Sequence, residues 1–123
     1  MSMANGKTWT RKEVVSNEEN YRGLHTLRLY DLSGNGKPDI FTAEMEHMDS
    51  YTSERRPRWY YLENMGGLEF KKHVILDAGL GAHHARLGHL TPDGPLSMIG
   101  NNWKANPINN CGGRNHITVV AMR

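Results

Sequence analysis

The chain has 123 residues, of which 37% are apolar and 23% are charged, and its mean hydropathy is −0.68. This length corresponds to one domain, or to two small units that pack together. The modest apolar fraction excludes a large hydrophobic core. Because the 15 basic and 13 acidic residues are spread along the chain and leave a formal charge of only +2, we expect no nucleic-acid partner.

The first half of the chain predicts four short strands joined by polar segments. These strands are Trp9–Val15, Leu24–Tyr30, Asp39–Ala43 and Arg58–Glu63. A turn rich in Asp, Asn and Gly separates the second strand from the third. A long polar loop over residues 44–57 precedes the fourth strand, and loops of this length often carry function.

The second half predicts four more strands. They cover Phe70–Leu76, His83–Gly88, Ser97–Gly100 and His116–Ala121, and a long polar loop again precedes the last of them. No stretch of useful length carries apolar residues at helical spacing. The predicted fold class is therefore all-β.

The two halves are copies of one sequence repeat, displaced by 58 residues. Between residues 23 and 36 the copies share six identities in fourteen positions, including His25 with His83 and Arg28 with Arg86. A period of this length indicates a propeller, a solenoid or an array. We therefore divide the chain into a first repeat, residues 1–64, and a second repeat, residues 65–123, which together form one domain.

The first repeat reads G-L-H-T-L-R-L-Y-D-L-S-G-N-G-K-P-D-I-F-T-A-E-M over residues 23–45, and the second contains I-G-N-N-W over residues 99–103. With the N-M-G-G turn at residues 64–67, these segments resemble the FG-GAP/VCBS repeats of β-propeller proteins. The resemblance implies two four-stranded propeller blades. Because such propellers have about six to eight blades, it also implies a homo-oligomer of three or four chains that closes the ring. The alternative is a fragment of a longer protein.

Signals for targeting and redox chemistry are few. Cys111 is the single cysteine, so no internal disulfide is expected. No apolar run reaches the length of a transmembrane span, and we expect no membrane partner. The first nine residues lack an apolar core, so no signal peptide is expected in this chain, and its compartment is not assigned.

The turn after the second predicted strand is the candidate cation site. Asp31, Ser33, Asn35 and Asp39 supply side-chain oxygens, and the carbonyl of Lys37 supplies a fifth oxygen. Calcium takes about six to eight hard oxygen ligands, so calcium is the first candidate cofactor and zinc the second. Compared with the family loop, Ser33 and Asn35 replace carboxylates, which lowers the expected affinity. The alternative is a turn held by Asp and Asn hydrogen bonds to the backbone.

The candidate catalytic residues are His25, His83, Glu44 and His47. Imidazole suits zinc binding or proton transfer near neutral pH, and a carboxylate beside it can act as acid or base. The alternative for His25 and His83 is a buried, hydrogen-bonded structural role, because each shares a strand face with apolar residues. On a regular strand His84 points away from His83, so we do not expect this pair to chelate one metal.

The candidate ligand-binding residues are Arg28, Arg86, Asn101, Asn102 and Trp103. A guanidinium binds carboxylates in bidentate fashion, whereas amides bind sugar hydroxyls and an indole stacks on a pyranose face. The alternatives are that both arginines hold a neighbouring blade and that Trp103 caps a core.

The sequence contains no nucleophile elbow, phosphate loop, HExxH or CxxC motif, so it leaves open whether the protein is an enzyme. The first hypothesis is a non-catalytic binding or scaffold module that recognises carbohydrate or protein and holds a calcium ion. The second, implied by the resemblance, is a metal-assisted sugar lyase or dehydratase with a histidine-lined site in an assembled propeller. The third is a structural assembly protein without a small-molecule ligand.

Overall fold

The structure is a computed structural model that describes residues 8–15, 23–45, 52, 55–103 and 114–123. These residues form seven β-strands and no helix, so the prediction of an all-β chain is confirmed. In particular, no helix of the described ranges has the length and apolar character that crossing a membrane requires. The strands are β1 (Leu24–Tyr30), β2 (Asp39–Glu44), β3 (Trp59–Gly66), β4 (Glu69–Leu76), β5 (His84–His89), β6 (Leu96–Asn101) and β7 (Ile117–Ala121).

The strands form two antiparallel sheets. The first sheet has the order β1-β2-β3-β4 and the second has the order β5-β6-β7. The segment that opens the second sequence repeat therefore completes the first sheet, because β4 pairs with β3 through a tight hairpin. Gly66 and Gly67 adopt φ values of 86° and 61° in that hairpin, which glycine accepts without a steric penalty. Among the described residues the sheets thus hold four and three strands, where the sequence predicted four and four.

The predicted strand Trp9–Val15 is wrong. Residues 9–13 have no regular structure, residues 14–15 form a bend, and Lys12 Nζ donates to Glu69 Oε1 at 3.0 Å. At an offset of 60 residues, two more than in the rest of the repeat, Val14 and Val15 correspond to Val74 and Ile75 of β4, which pairs with the strand before it in the chain. Among the described residues, Trp9–Val15 pairs with no strand, whereas β4 pairs with β3.

The core lies between the two sheets. Phe41, Ala43 and Trp59 of the first sheet pack with a second-sheet group that comprises Ala82, Ala85, Leu96 and Met98. The Trp59 side chain is fully buried and meets Phe41 edge to face, with ring centroids 5.9 Å apart. A Cβ atom on Gly100 would lie 2.9 Å from the Trp59 ring. The indole therefore reaches the backbone of β6, and only glycine fits there.

Candidate functional site

A cavity of about 750 Å³ lies where β5 begins and β6 ends. It brings together four of the five predicted ligand-binding residues, namely Arg86, Asn101, Asn102 and Trp103. The remaining lining residues are His84, Ala85, Ile99, Gly100, Asn115, His116 and Ile117. Arg28, the fifth predicted residue, does not line the cavity, and its Nη1 donates to the Leu27 carbonyl at 2.6 Å.

The polar side chains of this cavity differ in their exposure and in their hydrogen bonds to the rest of the protein. Asn102 is 6% exposed; its Oδ1 accepts the His116 N–H at 3.1 Å and its Nδ2 donates to Asn115 Oδ1 at 3.3 Å. Asn102 therefore fixes the segment before β7 to the end of β6. Asn101 and Arg86 are exposed, and Trp103 is 50% exposed. His84, Asn115 and Ile117 of the lining are exposed as well, so a ligand in the cavity can reach all of these side chains.

Three histidines cluster beside the cavity. The rings of His25 and His83 stack with centroids 4.0 Å apart, and His84 meets His83 edge to face at 4.3 Å. The Trp103 ring continues the stack at 6.2 Å from His83. His25 Nδ1 lies 2.8 Å from the His83 carbonyl oxygen, so the expected hydrogen bond of His25 is present although its side chain is exposed rather than buried.

The expectation that His84 points away from His83 is wrong. It assumed a regular strand over both residues, but β5 begins at His84, so His83 lies outside the strand. The alternation of side chains does not apply across that boundary. Both rings consequently reach the same end of the sheet.

Glu44, a predicted catalytic residue, lies in a different environment. Its side chain is fully buried, and Arg55 donates to it from both Nη1, at 3.0 Å from Oε2, and Nη2. The Arg58 N–H and the Tyr60 hydroxyl donate as well, at 2.9 and 3.2 Å. Its backbone carbonyl accepts the Ala82 N–H, which links the two sheets. These bonds hold the 55–58 segment to β2; His47 lies outside the described residues.

The pKa of Tyr60 reflects the low polarity of the surroundings of Glu44. Burial of its hydroxyl, with a further contribution from the nearby Glu44 carboxylate, raises the pKa of Tyr60 to about 12. The phenol therefore stays protonated and donates to Glu44 throughout the physiological range.

The candidate cation turn is closed by its own hydrogen bonds. Asp31 Oδ1 accepts the N–H groups of Gly34 and Asn35 at 2.9 and 3.1 Å, and its Oδ2 accepts that of Gly36 at 2.8 Å. The Asn35 side-chain oxygen accepts the Lys37 N–H at 2.9 Å. This geometry matches the alternative of a turn held by Asp and Asn side chains. Calcium at Asp31, Ser33, Asn35, Lys37 and Asp39 stays a prediction.

Asp39 joins this turn to the β3–β4 hairpin. It is fully buried, and its two oxygens accept the N–H groups of Ser33 and Asn64, both at 2.7 Å. Burial alone would raise the pKa of this carboxyl, but the bonds from Asn64 and Ser33 outweigh burial and lower the pKa below its ordinary value of 3.8. The charged form is therefore stabilised by folding.

We expect Asp39→Asn to lower the free energy of unfolding by about 1–3 kcal/mol at neutral pH, because a buried backbone N–H loses its acceptor. The folded pKa lies below the unfolded one, so the contribution of Asp39 is complete above pH 3.8 and is lost as the pH falls through the folded value. Urea titrations at neutral pH and at pH about 3 measure both effects. The exposed Asp93→Asn is the control, and an equal loss at both pH values would contradict the prediction.

His84, Asn115 and His116 line the cavity but were not predicted as site residues. His84 was set aside by the alternation argument, and His116 was assigned to the last strand, whereas β7 begins at Ile117. Their positions in the sequence could have identified them as candidates, because each lies within two residues of the start of a predicted strand and follows a loop.

Among the described residues, no group of three or more His, Cys, Asp or Glu side chains is arranged to hold a metal ion. Comparison with family models, with curated proteins and with solved structures finds no match to this chain. The function is therefore argued from the site itself.

Proposed function

We propose that this chain is a non-catalytic binding module of the β-propeller type that recognises carbohydrate at the cavity beside Trp103. The observation that carries the proposal is a half-exposed indole in a cavity of about 750 Å³ whose other exposed groups include Asn101 and Arg86. The apolar face of a pyranose stacks on an indole, and its hydroxyls bind amide groups.

Arg86 indicates which class of carbohydrate the cavity prefers. It lies on β5, opposite Ile99 of β6, and its Nη1 donates to the Ala85 carbonyl at 3.2 Å. The guanidinium has further N–H groups that suit a carboxylate. We therefore infer that the preferred ligands contain an acidic sugar such as a uronic acid.

The propeller assignment is part of this proposal. It is supported by the 58-residue repeat, by two antiparallel sheets that pack face to face, and by the resemblance of the repeats to FG-GAP/VCBS sequences. Calcium binding at the Asp31 turn is proposed as a secondary property. A rise in melting temperature on addition of calcium to the wild type, absent in Asp31→Asn, is the expected result.

The carbohydrate proposal is tested by screening the wild type on an array that contains neutral and acidic glycans, followed by calorimetry on the best ligand. We expect Trp103→Ala to weaken binding by about tenfold or more, equivalent to ~1.4 kcal/mol, because the stacking surface is lost. Met65→Ala is the control, since Met65 lies in the β3–β4 hairpin, is 54% exposed and does not line the cavity. Unchanged affinity in Trp103→Ala would refute the sugar-stacking role.

A sugar lyase or dehydratase is the second candidate function, and the cluster of His25, His83 and His84 beside the cavity favours it. While Arg86 binds the sugar carboxylate, an imidazole can take the proton from the adjacent carbon. A carbon–carbon double bond then forms as the bond from the next carbon to its oxygen substituent breaks, and the leaving oxygen takes up a proton from a protonated imidazole or from water. Formation of an unsaturated product from an acidic glycan, lost in both His25→Ala and His83→Ala, would replace the binding proposal with this one. Binding without turnover supports the binding module.

A further inference from the structure

The packing of the two sheets inside one chain defines two inner faces. Phe41 and Trp59 belong to the inner face of the first sheet, and Ala85 and Met98 belong to the inner face of the second. Side chains alternate between the two sides of a strand. Each sheet therefore has an outer face that carries the intervening residues.

Through the 58-residue repeat, the outer face of each sheet corresponds in sequence to the inner face of the other sheet. On the outer face of the second sheet, Arg86, Ile99, Ile117 and Val119 stand 58 residues after Arg28, Phe41, Trp59 and Tyr61. On the outer face of the first sheet, Leu27, Leu29, Ile40 and Leu62 stand 58 residues before Ala85, Leu87, Met98 and Val120. Each outer face thus repeats, position by position, the surface that is buried between the sheets.

Both outer faces expose large apolar side chains. Ile117 and Val119 are 77% and 49% exposed on the second sheet, and Leu27 and Leu29 are 61% and 63% exposed on the first. Neighbouring strands add to these patches, because Ile99 pairs with Val119 and Leu29 pairs with Ile40. Contiguous apolar patches of this kind mark protein–protein contacts.

The segment Trp9–Val15 extends the same correspondence. Val14 and Val15 share a cavity of about 360 Å³ with Ile40 and Leu62 of the outer face. Val74 and Ile75 of β4 share a cavity of about 290 Å³ with Met98 and Val120, the repeat counterparts of Ile40 and Leu62. The segment therefore lies against the first sheet in the place that β4 occupies against the second.

We propose that a second copy of this chain docks onto the first. The outer face of the second copy's first sheet contacts the outer face of the first copy's second sheet, and this contact repeats the packing found within one chain. In the same arrangement, Trp9–Val15 of the docked copy lies beside β7, which pairs with β6 alone among the described strands. It adds the fourth strand that the second sheet lacks. The contact is head to tail, and such a contact forms a closed ring when the rotation between copies closes. We expect three or four chains, because two sheets from each chain then give six or eight sheets, within the range of about four to eight blades of β-propellers.

This assembly does not rest on carbohydrate binding, but it changes the candidate site. Arg86, Ile99 and Ile117 belong both to the cavity and to the docking face. The repeat places His25 of the second copy against His83, as His25 stacks on His83 within one chain. The ligand site then lies at a junction between two copies.

Light scattering on the full chain in solution tests the proposal. The expected mass is three or four times the chain mass of 14.0 kDa. Leu29→Arg blocks only the outer face of the first sheet, and Val119→Arg blocks only that of the second, so each variant alone is expected to be monomeric. An equimolar mixture should form a heterodimer of twice the chain mass, because one intact face of each kind remains. Met65→Arg, in the β3–β4 hairpin and 54% exposed, is the control and should assemble like the wild type.

Leu29 and Val119 are 63% and 49% exposed in the single chain, so the variants should fold, and circular dichroism with thermal unfolding checks this. A monomeric wild type overturns the proposal, and so does an assembled Leu29→Arg or Val119→Arg. A folded mixture that stays monomeric also overturns it. Masses are measured without glycan, and glycan binding is assayed on wild type and Trp103→Ala, so failure of this proposal is distinguishable from failure of the carbohydrate proposal.

Discussion

Arg55→Ala is expected to destabilise the protein by about 3–5 kcal/mol, because it removes the Arg55 guanidinium that is paired with the buried Glu44 carboxylate. The Glu44 side chain is fully buried and the Arg55 side chain is 12% exposed, so water cannot replace the lost donors at low cost. The Arg58 N–H and the Tyr60 hydroxyl still donate to Glu44, but neither of these groups carries a full charge. This loss is comparable to the total stability of many small domains.

Urea and thermal unfolding of the purified variant measure this effect, at a fixed protein concentration because assembly would shift the apparent stability. The control is Arg11→Ala, since the Arg11–Glu13 pair is exposed and should be worth at most about 1 kcal/mol. The double variant Arg55→Met with Glu44→Gln should recover part of the loss, because it removes both charges and keeps an acceptor for Arg58. A loss below about 1 kcal/mol for Arg55→Ala would show that the pair does not hold the 55–58 segment.

The strands were predictable because local alternation and β-branched or aromatic residues identify them. The expected strand Leu24–Tyr30 coincides with β1, and six of the others begin within one residue of an observed strand. Sheet membership was not predictable in the same way. Alternation locates the 70–76 strand but does not say which sheet edge it joins, and the short hairpin at Gly66 and Gly67 decides that.

The candidate site was partly predictable for a related reason. The repeat places Asn101–Trp103 directly after a strand, and a loop that follows a strand lies at the end of a sheet, where Arg86 of the adjacent strand also reaches the cavity. The histidine cluster depends on the residue at which β5 begins, and a difference of one residue reverses the expected direction of a side chain. The Glu44–Arg55 pair joins residues on either side of a long polar loop, and no local pattern predicts such a contact.

Trp59→Ala is expected to lower the free energy of unfolding by about 3–5 kcal/mol, because it empties the centre of the contact between the sheets. Trp59 is fully buried, its ring meets Phe41, and the far edge of the indole reaches Gly100 and Ala82 of the other layer. Since β6 has no side chain at Gly100, nothing from the second sheet can fill the space. The remaining cavity therefore adds to the lost transfer free energy of the indole.

A double-mutant cycle shows whether this contact is specific. Gly100→Ala alone should cost about 1–3 kcal/mol, because its Cβ would lie 2.9 Å from the Trp59 ring and 3.0 Å from the Ala82 Cβ. Combined with Trp59→Phe, whose ring is shorter, the added methyl group should be tolerated better than it is beside tryptophan, so the two changes should not be additive. Met65→Ala, at a methionine that is 54% exposed, provides the control for loss of an apolar side chain outside the core. Additive costs for Gly100→Ala and Trp59→Phe would mean that the indole does not lie against β6, and the sheet-on-sheet packing from which the head-to-tail assembly is inferred would lose its basis.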